Sequence, residues 1–191
     1  MHPFVLAYFR TILTELEIDG PVLEIGAEPS GDTLLALPEL ARFERIGVNI
    51  AFPPQTTAWG FRLERLNAND LSAFASGSFG LILSNAMLEH DRFFWLTVDE
   101  IRRLLRPGGF VVLGTPGYGD AALPPGVVLD PSRPGEAWAE ATVTFKLHDA
   151  PGDYYRFTEA AMRDVLLRGL EVLHVGSVMM PPRIIGAARQ P

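Results

Sequence analysis

The sequence predicts an α/β fold in which helices cover both faces of a mainly parallel sheet. The length of 191 residues and the hydrophobic content of 48% suit one domain with a full core. Short apolar runs, which are typical of buried strands, alternate with segments of helical periodicity over most of the chain. The last two apolar runs follow each other without a helix between them, which predicts an antiparallel hairpin at one end of the sheet.

The first half of the chain supplies two helices and three strands in this prediction. Apolar residues at helical spacing predict an N-terminal helix over Pro3–Glu17, within residues 1–20. Asp32 or Thr33 has a side chain suited to cap a second helix, which would run through Leu40. The predicted strands are the apolar runs Pro21–Ile25, Arg45–Ile50 and Phe61–Leu66.

The second half supplies two more helices and four strands. The predicted helices are Phe94–Leu105, which Pro107-Gly108-Gly109 ends, and a closing helix from a Thr158 cap to Leu167. The predicted strands are Phe79–Ser84, Phe110–Gly114, Val172–Val178 and Arg183–Ala188. Residues 115–156 interrupt this alternation and are rich in proline and glycine. A loop of this length inside a compact domain is usually functional or disordered.

Composition and charge exclude several classes of protein and of site. The net charge of −7 disfavours a nucleic-acid binder, because an acidic surface repels a phosphate backbone. The absence of cysteine excludes disulfides, thiolate nucleophiles and cysteine-bound metal centres. The four scattered histidines lack metal-ligand spacing, so no metal site is expected. No apolar run reaches the roughly 20 residues that cross a bilayer, so we expect no membrane association and a cytoplasmic protein.

The residues that follow each strand are candidate binding residues, because ligands of parallel α/β sheets bind beyond the carboxyl ends of the strands. After the first strand, the Gly26 turn lets a ligand approach the backbone, and Glu24 could accept a hydrogen bond from a cationic amino group. After the second strand, Asn49 stands where dinucleotide-binding folds place an acidic residue for the ribose. After the third strand, Asn67 and its polar neighbours could face an adenine edge.

Each of these segments also has a purely structural interpretation. The Gly26 segment could be a strand–turn–helix connection without a ligand, and Asn49 could be a turn residue. The run Asn67–Leu71 is, in isolation, more typical of a simple Asn/Asp turn. These residues alone therefore do not decide between a binding site and a set of turns.

Two segments in the middle of the chain make a more specific pattern. Phe79–His90 is a strand followed by Leu-Glu-His, and Glu100–Phe110 ends in Leu-Arg-Pro-Gly-Gly-Phe. Together they resemble the central signature of class I S-adenosylmethionine-dependent methyltransferases, in the small subgroup usually called type 11. Gly152–Thr158 is similar to a segment before the last helix in a branch of this family, and Pro181–Arg189 resembles its closing strand. The likeness extends over about Val22 to Arg189, nearly the whole chain.

The resemblance implies a Rossmann-like methyltransferase fold: a mainly parallel seven-stranded sheet with an antiparallel last strand and helices on both faces. It implies a single methyltransferase-like domain over residues 1–191, with residues 115–156 as an insert or lid over the acceptor site. It also implies S-adenosylmethionine as cofactor, S-adenosylhomocysteine as product, and methyl transfer to a small-molecule acceptor. Whether oxygen, nitrogen or carbon is methylated stays open, and a homodimer is compatible with this class.

The family motifs also imply cofactor contacts, residue by residue. In the family, the loop after the first strand passes under the methionine part of the cofactor, and the end of the second strand holds the ribose and adenine. The turn after the third strand meets the adenine amino group, and the residues after the fourth strand line the sulfonium. The matching residues of this chain are Glu24, Gly26, Ala27, Glu28 and Gly31; Asn49 and Ile50; Asn67 and Ala68; and Asn85 and Ala86.

Four positions depart from the family pattern. Glu28 occupies the second glycine position of the loop, and Asn49, Asn67 and Gly80 stand where the family has carboxylates. A charge-assisted hydrogen bond contributes about 1.5–3 kcal/mol against about 1 kcal/mol for a neutral one, so the change at the ribose could weaken cofactor binding on the order of tenfold. A Glu28 carboxylate near the positive sulfonium could compensate by attraction.

These departures keep two function classes open. One is an active methyltransferase, and the other is a catalytically inactive, methyltransferase-like binding or scaffold protein with a degenerate cofactor site. A nicotinamide-dependent oxidoreductase is less well supported, because the loop after the first strand lacks the Gly-x-Gly-x-x-Gly pattern.

A general base is needed only if the methyl acceptor must lose a proton early in the transfer. The candidates for catalysis are His90, His148 and Tyr154, with Tyr155 beside the last. His90 could equally have a structural role at the head of a helix, and packing of the lid on the last helix explains the two tyrosines more simply. Within the insert, three aromatic residues could line a pocket for an apolar or aromatic acceptor or form a small core under the loop: Tyr118, Trp138 and Phe145.

Overall fold

A computed structural model describes residues 1–28, 33–52, 56–58, 60–121, 141–144, 146–147 and 152–191 of the protein. Its helices are α1 (Pro3–Glu15), α2 (Phe94–Leu104) and the short α3 (Glu159–Ala161). Its strands are β1 (Val22–Ile25), β2 (Arg45–Val48), β3 (Thr56–Ala58), β4 (Phe61–Glu64), β5 (Phe79–Asn85), β6 (Leu105–Pro116), β7 (Tyr118–Ala121), β8 (Ala141–Thr144), β9 (Glu171–Val178) and β10 (Arg183–Arg189).

The main sheet has the strand order β3-β4-β2-β1-β5-β6-β10-β9. The five central strands β4, β2, β1, β5 and β6 run parallel, and β10 and β9 continue the sheet antiparallel. The predicted mixed sheet of a Rossmann-like methyltransferase fold is therefore confirmed. The sequence missed β3, which pairs antiparallel with β4 as a short eighth strand at the edge.

Side chains of the sheet alternate between two hydrophobic layers, which places helices on both faces as predicted. Val22 packs in the layer that contains α1 and the turns after β1, whereas the next residue, Leu23, packs in the layer that contains α2 and α3. Helix α1 begins at Pro3, a residue suited to the first helical position, and its buried stripe is Val5, Phe9, Ile12 and Leu13. Each such side chain contributes roughly 1.5–3 kcal/mol through burial.

The predicted helix from Asp32 or Thr33 through Leu40 is wrong. The chain instead forms two 3₁₀ turns, Leu34–Ala36 and Pro38–Leu40. Leu37 between them is extended, with φ −61° and ψ 131°, because a residue before proline is disfavoured in the helical region. Pro38 also has no N–H to continue a helical ladder. Residues 33–40 therefore reach the core through short turns.

The predicted closing helix from Thr158 to Leu167 is only partly present. Thr158 caps it as expected, since its hydroxyl oxygen accepts the N–H of Ala161 at 3.0 Å. After the α-helical turn Glu159–Ala161, the backbone widens into a π-helical turn over Met162–Leu166.

The predicted insert, residues 115–156, contains a separate hairpin of β7 and β8. Residues 122–140, 145 and 148–151 lie outside the described residues, and with them Trp138, Phe145 and His148. Tyr118 is described and is half-exposed. Within the described residues, no helix has the length and apolar character to span a membrane.

Candidate functional site

The carboxyl ends of β1, β2, β4, β5 and β6 meet at one edge of the sheet, since these strands are parallel neighbours. Two left-handed backbone turns bring the loops after β1 and β5 into contact there. Gly26 has φ +83°, and a Cβ atom on it would lie 2.6 Å from the Cβ of Met87. Ala86 has φ +54°, which costs a non-glycine residue roughly 1–2 kcal/mol. Such strain is typical of positions that a function or the surrounding fold requires.

Glu24 lies under this edge, where its carboxylate organises the turn that follows β1. The side chain is 4% exposed. Its Oε2 accepts the hydroxyl of Thr33 and, at 3.0 Å, the N–H of Leu35. Burial raises the pKa of Glu24 to about 7, although these hydrogen bonds oppose the rise and the negative charge of Glu28 adds to it. The cationic amino group expected as its partner would therefore compete with Thr33 and Leu35.

Asn49 joins the loops after β1 and β2 through both ends of its amide. Its Nδ2 donates to the carbonyl oxygen of Ala27 at 3.0 Å, and its Oδ1 accepts the N–H of Ala51 at 3.0 Å. An aspartate could accept from Ala51 but could not donate to Ala27. The amide oxygen keeps a second lone pair, which a ribose hydroxyl could use.

The residues expected near adenine occupy two adjacent loops. Ile50 follows β2 and is 65% exposed, so its apolar side chain is available to pack on a flat ligand. Asn67 forms the Asn/Asp turn that the sequence indicated: its Oδ1 accepts the N–H of Asn69 and its carbonyl accepts the N–H of Asp70. Ala68, the residue after Asn67, is partly buried against the hydrophobic core.

Asn69 is a structural residue that the sequence did not single out. Its Nδ2 donates to Asp91 Oδ2 at 2.7 Å and to Thr97 Oγ1 at 2.9 Å. The hydroxyl of Thr97 donates to the same Asp91 oxygen at 2.6 Å. These bonds hold the loop after β4 against the beginning of α2.

Asn85 ends β5 beside the backbone of β6. Its Oδ1 has no hydrogen-bond partner among the described residues, although it is buried. The atom lies so close to Gly114 that a Cβ atom there would be 2.6 Å away, and the ring of Phe9 approaches the same position to 3.0 Å. A buried acceptor of this kind can take a hydrogen bond from a ligand.

Two residues expected to contact the cofactor from the loop after β1 remain. Glu28 is exposed, and Gly31 lies outside the described residues.

A buried cluster of charged side chains lies beyond the ends of β5 and β6. Glu89 is 0% exposed, and its Oε1 lies 3.5 Å from Nη1 of Arg183 and 3.9 Å from Nε2 of His90. Beside it, the guanidinium of Arg156 binds both carboxylate oxygens of Asp153, with 2.8 Å between Nη2 and Oδ2. Burial raises the pKa of Glu89 to about 7, against the opposing positive charges of Arg183 and Arg156.

Two of the segments that carried the family resemblance, Phe79–His90 and Gly152–Thr158, meet at this cluster. The carbonyl oxygen of Glu89 accepts the N–H groups of Tyr154 and Tyr155 at 2.8 and 3.2 Å. The N–H of Phe157 donates to the carbonyl of Pro116 at 3.0 Å. Among the described residues, sequence reasoning thus missed Glu89, Asp153, Arg156 and Arg183. The charged residues inside the two quoted motifs were the signal that could have found the first three.

The two tyrosines contact the beginning of α2, and Tyr155 also packs against the core layer that contains the last helix. Tyr154 is 47% exposed, and its hydroxyl accepts from Nη2 of Arg92 at 3.2 Å. The hydroxyl of Tyr155 donates to the carbonyl of Arg92 at 2.9 Å, and its ring lies 5.0 Å from that of Phe94. The roles proposed for His90 and Tyr154 in catalysis stay predictions.

Gly80 lies at the opposite edge of the sheet from these loops, at the amino end of β5. Its N–H donates to Pro21, and a Cβ atom on it would lie 1.9 Å from the carbonyl oxygen of Asp19. Five strand residues, or about 17 Å, separate Gly80 from Asn85. The expectation that Gly80 replaces a carboxylate that would bind the cofactor is therefore wrong. Glycine is needed at this position because the backbone carbonyl of Asp19 packs closely against it.

Over the part of the chain that the structure describes, no three histidine, aspartate or glutamate side chains lie in positions to share a metal ion.

Comparisons with known proteins agree with this geometry. Residues 23–113, just under half of the chain, match the profile of a family described as Methyltransferase domain. No curated protein matches the chain significantly.

Similar solved structures include enzymes of more than one kind. The 1,6-didemethyltoxoflavin-N1-methyltransferase of Burkholderia thailandensis has a TM-score of 0.63 at 19% identity, over 97% of this chain and 77% of that chain. A SAM-dependent methyltransferase of Methanosarcina mazei has a TM-score of 0.55 at 19% identity, over 100% and 98%. The cyclase SpnF has a TM-score of 0.63 at 14% identity, over 96% and 81%. Identities this low establish the fold alone.

The matched residues and the strand order lead to the same assignment. Residues 23–113 include β2, β4 and β5 and most of β1 and β6, the strands whose carboxyl ends form the candidate site. Residues 23–113 of this chain are similar to the methyltransferase domain family, and the fold of the chain is the Rossmann-like fold of class I methyltransferases.

Proposed function

We propose that the protein binds S-adenosylmethionine at the carboxyl edge of the sheet and transfers its methyl group to a small-molecule acceptor. The observation that carries this proposal is the pair of left-handed turns at Gly26 and Ala86, which brings the loops after β1 and β5 together within the family's domain. The net charge of −7 supports a small molecule rather than a nucleic acid as acceptor.

The residues at this edge fit the cofactor in four respects. The Gly26 turn lets a ligand approach the backbone, Ile50 offers an exposed apolar side chain for adenine, and Asn85 Oδ1 is a buried acceptor without a partner among the described residues. Asn49 retains one acceptor lone pair for the ribose. These residues would hold the cofactor, and Glu24 would support the turn beneath it.

The chemistry divides between cofactor and protein in a simple way. When bound, S-adenosylmethionine supplies an electrophilic methyl group on a positively charged sulfur. The protein aligns the acceptor with that group and excludes water, which accounts for most of the catalysis in such a displacement. The buried charges around Glu89 support a place for the acceptor next to the ends of β5 and β6.

Calorimetric titration with S-adenosylmethionine and S-adenosylhomocysteine tests the proposal. We expect both to bind in the micromolar range, and the exposed-residue variant Glu17→Gln to bind them equally well. A folded protein that binds neither ligand at millimolar concentration would contradict the proposal. That outcome would favour the alternative of a non-catalytic protein, which nothing in the comparisons supports.

A further inference from the structure

We propose that Glu89 and Thr115 bind the nucleophilic group of the methyl acceptor, and that this group is a hydroxyl or an amine that carries a hydrogen. The inference rests on the proposed methyl transfer and names the class of acceptor for it.

Besides Asn85 Oδ1, two further buried oxygen atoms near the ends of β5 and β6 have no hydrogen-bond partner among the described residues. They are Glu89 Oε2 and Thr115 Oγ1, and both residues are 0% exposed. A buried polar group without its hydrogen bond costs about 1–3 kcal/mol, and more when it is charged. Native proteins rarely leave such groups unsatisfied, so two of them at one edge of the sheet indicate a ligand that completes their bonds.

The two oxygen atoms belong to neighbouring parts of the fold. Thr115 lies two residues after Leu113, so its side chain faces the layer that contains α2 and α3. Glu89 is in the 3₁₀ turn Leu88–His90, which contacts β6. Its carboxylate reaches Arg183, a residue paired with Pro116 directly after Thr115. Both side chains therefore lie at the edge that also carries the loops after β1 and β2.

The chemistry of these atoms specifies the group that they can bind. An ionised carboxylate only accepts hydrogen bonds, so Glu89 Oε2 requires a donor. A threonine hydroxyl both donates and accepts, so Thr115 can bond the same group from its other side. A hydroxyl or an amine with a hydrogen satisfies both residues. A carboxylate or a phosphate would be repelled by Glu89, and a thioether or a neutral tertiary amine has no hydrogen to donate.

Glu89 is then the proton acceptor of the transfer. The proton passes from the acceptor atom to Glu89 Oε2 as that atom's lone pair bonds to the methyl carbon, while the electron pair of the former carbon–sulfur bond stays on sulfur. Because burial raises the pKa of Glu89 to about 7, the carboxylate suits proton transfer near neutral pH. The charged groups that face it are Arg183 from β10, Asp153 and Arg156 from the segment before α3, and His90 from its own turn.

A matched pair of small ligands tests the hydrogen-bond requirement without any need for turnover. Phenol carries an O–H group, and anisole is the same ring with that hydrogen replaced by methyl. We would titrate each into the wild-type protein at about pH 8, above the pKa of Glu89 and below that of phenol, and follow the protein's amide resonances by NMR. We expect phenol to bind at least about tenfold more tightly than anisole, as a charge-assisted hydrogen bond requires.

Two variants test whether Glu89 and Thr115 cause the preference for phenol over anisole. In Glu89→Gln the amide oxygen should face the donor Arg183 and the amide NH₂ should replace Oε2, so the preference for phenol should disappear. In Thr115→Val, which removes a hydroxyl that has no partner among the described residues, phenol binding should fall roughly two- to tenfold. Because Thr115→Val removes a buried hydroxyl without taking a hydrogen bond from another group, it provides the test if Glu89→Gln does not fold. The matched control is Glu17→Gln, an exposed carboxylate distant from this edge.

The possible results separate this inference from the proposed function. Equal binding of phenol and anisole to the wild type, binding of neither, or an unchanged preference in both folded variants would overturn the inference. Titration of the same samples with S-adenosylhomocysteine tests the proposed function separately. If the protein did not bind S-adenosylhomocysteine but preferred phenol in a Glu89-dependent way, methyl transfer would be rejected and the binding site at Glu89 and Thr115 would be retained.

Discussion

The buried carboxyl group of Glu24 makes the stability of the protein depend on pH. Its side chain is 4% exposed, and burial raises its pKa from 4.5 to about 7, with the hydrogen bonds from Thr33 and Leu35 opposing the rise. Between these two pKa values the native state binds more protons than the unfolded state. The free energy of unfolding therefore falls as pH rises from about 4.5 through about 7, and it levels off above that range.

The magnitude follows from the pKa difference. A rise from 4.5 to about 7 corresponds to roughly 3 kcal/mol, at about 1.4 kcal/mol per pH unit. Glutamine has the shape of the protonated carboxyl group but does not ionise, so Glu24→Gln should remove this contribution. Relative to the wild type, the variant should gain up to roughly 3 kcal/mol between about pH 5 and pH 8, or about 6–12 °C in Tm. Glu89, whose pKa burial also raises to about 7, should keep a residual pH dependence in both proteins.

Urea denaturation followed by far-ultraviolet circular dichroism at pH 5 and pH 8 measures this difference. The wild type, Glu24→Gln and the exposed control Glu17→Gln would be compared at equal ionic strength. If Glu24→Gln changed the free energy of unfolding by the same amount at both pH values, the ionisation of Glu24 would not be the cause. The altered hydrogen bonds to Thr33 and Leu35 would then account for the effect.

Three further substitutions distinguish effects on cofactor binding from effects on the stability of the sheet. Asn49→Asp removes the donor to Ala27, so urea denaturation should give a free energy of unfolding lower by about 1–3 kcal/mol, and unchanged stability would contradict the bridging role. Gly80→Ala places a Cβ atom 1.9 Å from the carbonyl of Asp19, so it should destabilise the protein by about 1–3 kcal/mol, yet leave the calorimetric affinity of the folded fraction for S-adenosylhomocysteine unchanged. Ile50→Ser should show the reverse pattern, with stability within about 0.5 kcal/mol of the wild type and several-fold weaker cofactor binding; equal binding would exclude a contact between this side chain and adenine.

The strands of the sheet could be predicted from the sequence because burial on both faces leaves a local pattern. Phe79–Ser84, for example, is one continuous apolar run, and the structure extends it by a single residue to Asn85. The same reasoning placed the candidate site, since every parallel strand ends at the same edge. Helix ends were less predictable, because Leu37 is fixed by the proline that follows it rather than by its own periodicity.

The contact between Glu89 and Arg183 could not be predicted from local patterns, because the two residues are distant in sequence. Glu89 and Arg183 are 94 positions apart, and only the antiparallel pairing of β10 with β6 brings Arg183 to the end of β5. Single-sequence reasoning weighs each ionisable residue against its neighbours, and it therefore favoured His90 over the adjacent Glu89. Burial, which gives Glu89 its raised pKa, is a property of the folded chain.

The departures from the family motif have different causes, and the fold separates them. Gly80 gives the carbonyl of Asp19 room at the edge opposite the site, so we expect it to leave cofactor affinity unaffected. Asn67 uses its Oδ1 in a turn, a bond that an aspartate would make equally well. Asn49 places a hydrogen-bond donor where the family has a carboxylate, and that donor ties the loop after β2 to Ala27 in the loop after β1. A carboxylate cannot donate this hydrogen bond, so the amide connects the two loops, without a negative charge, at the position proposed to bind the ribose.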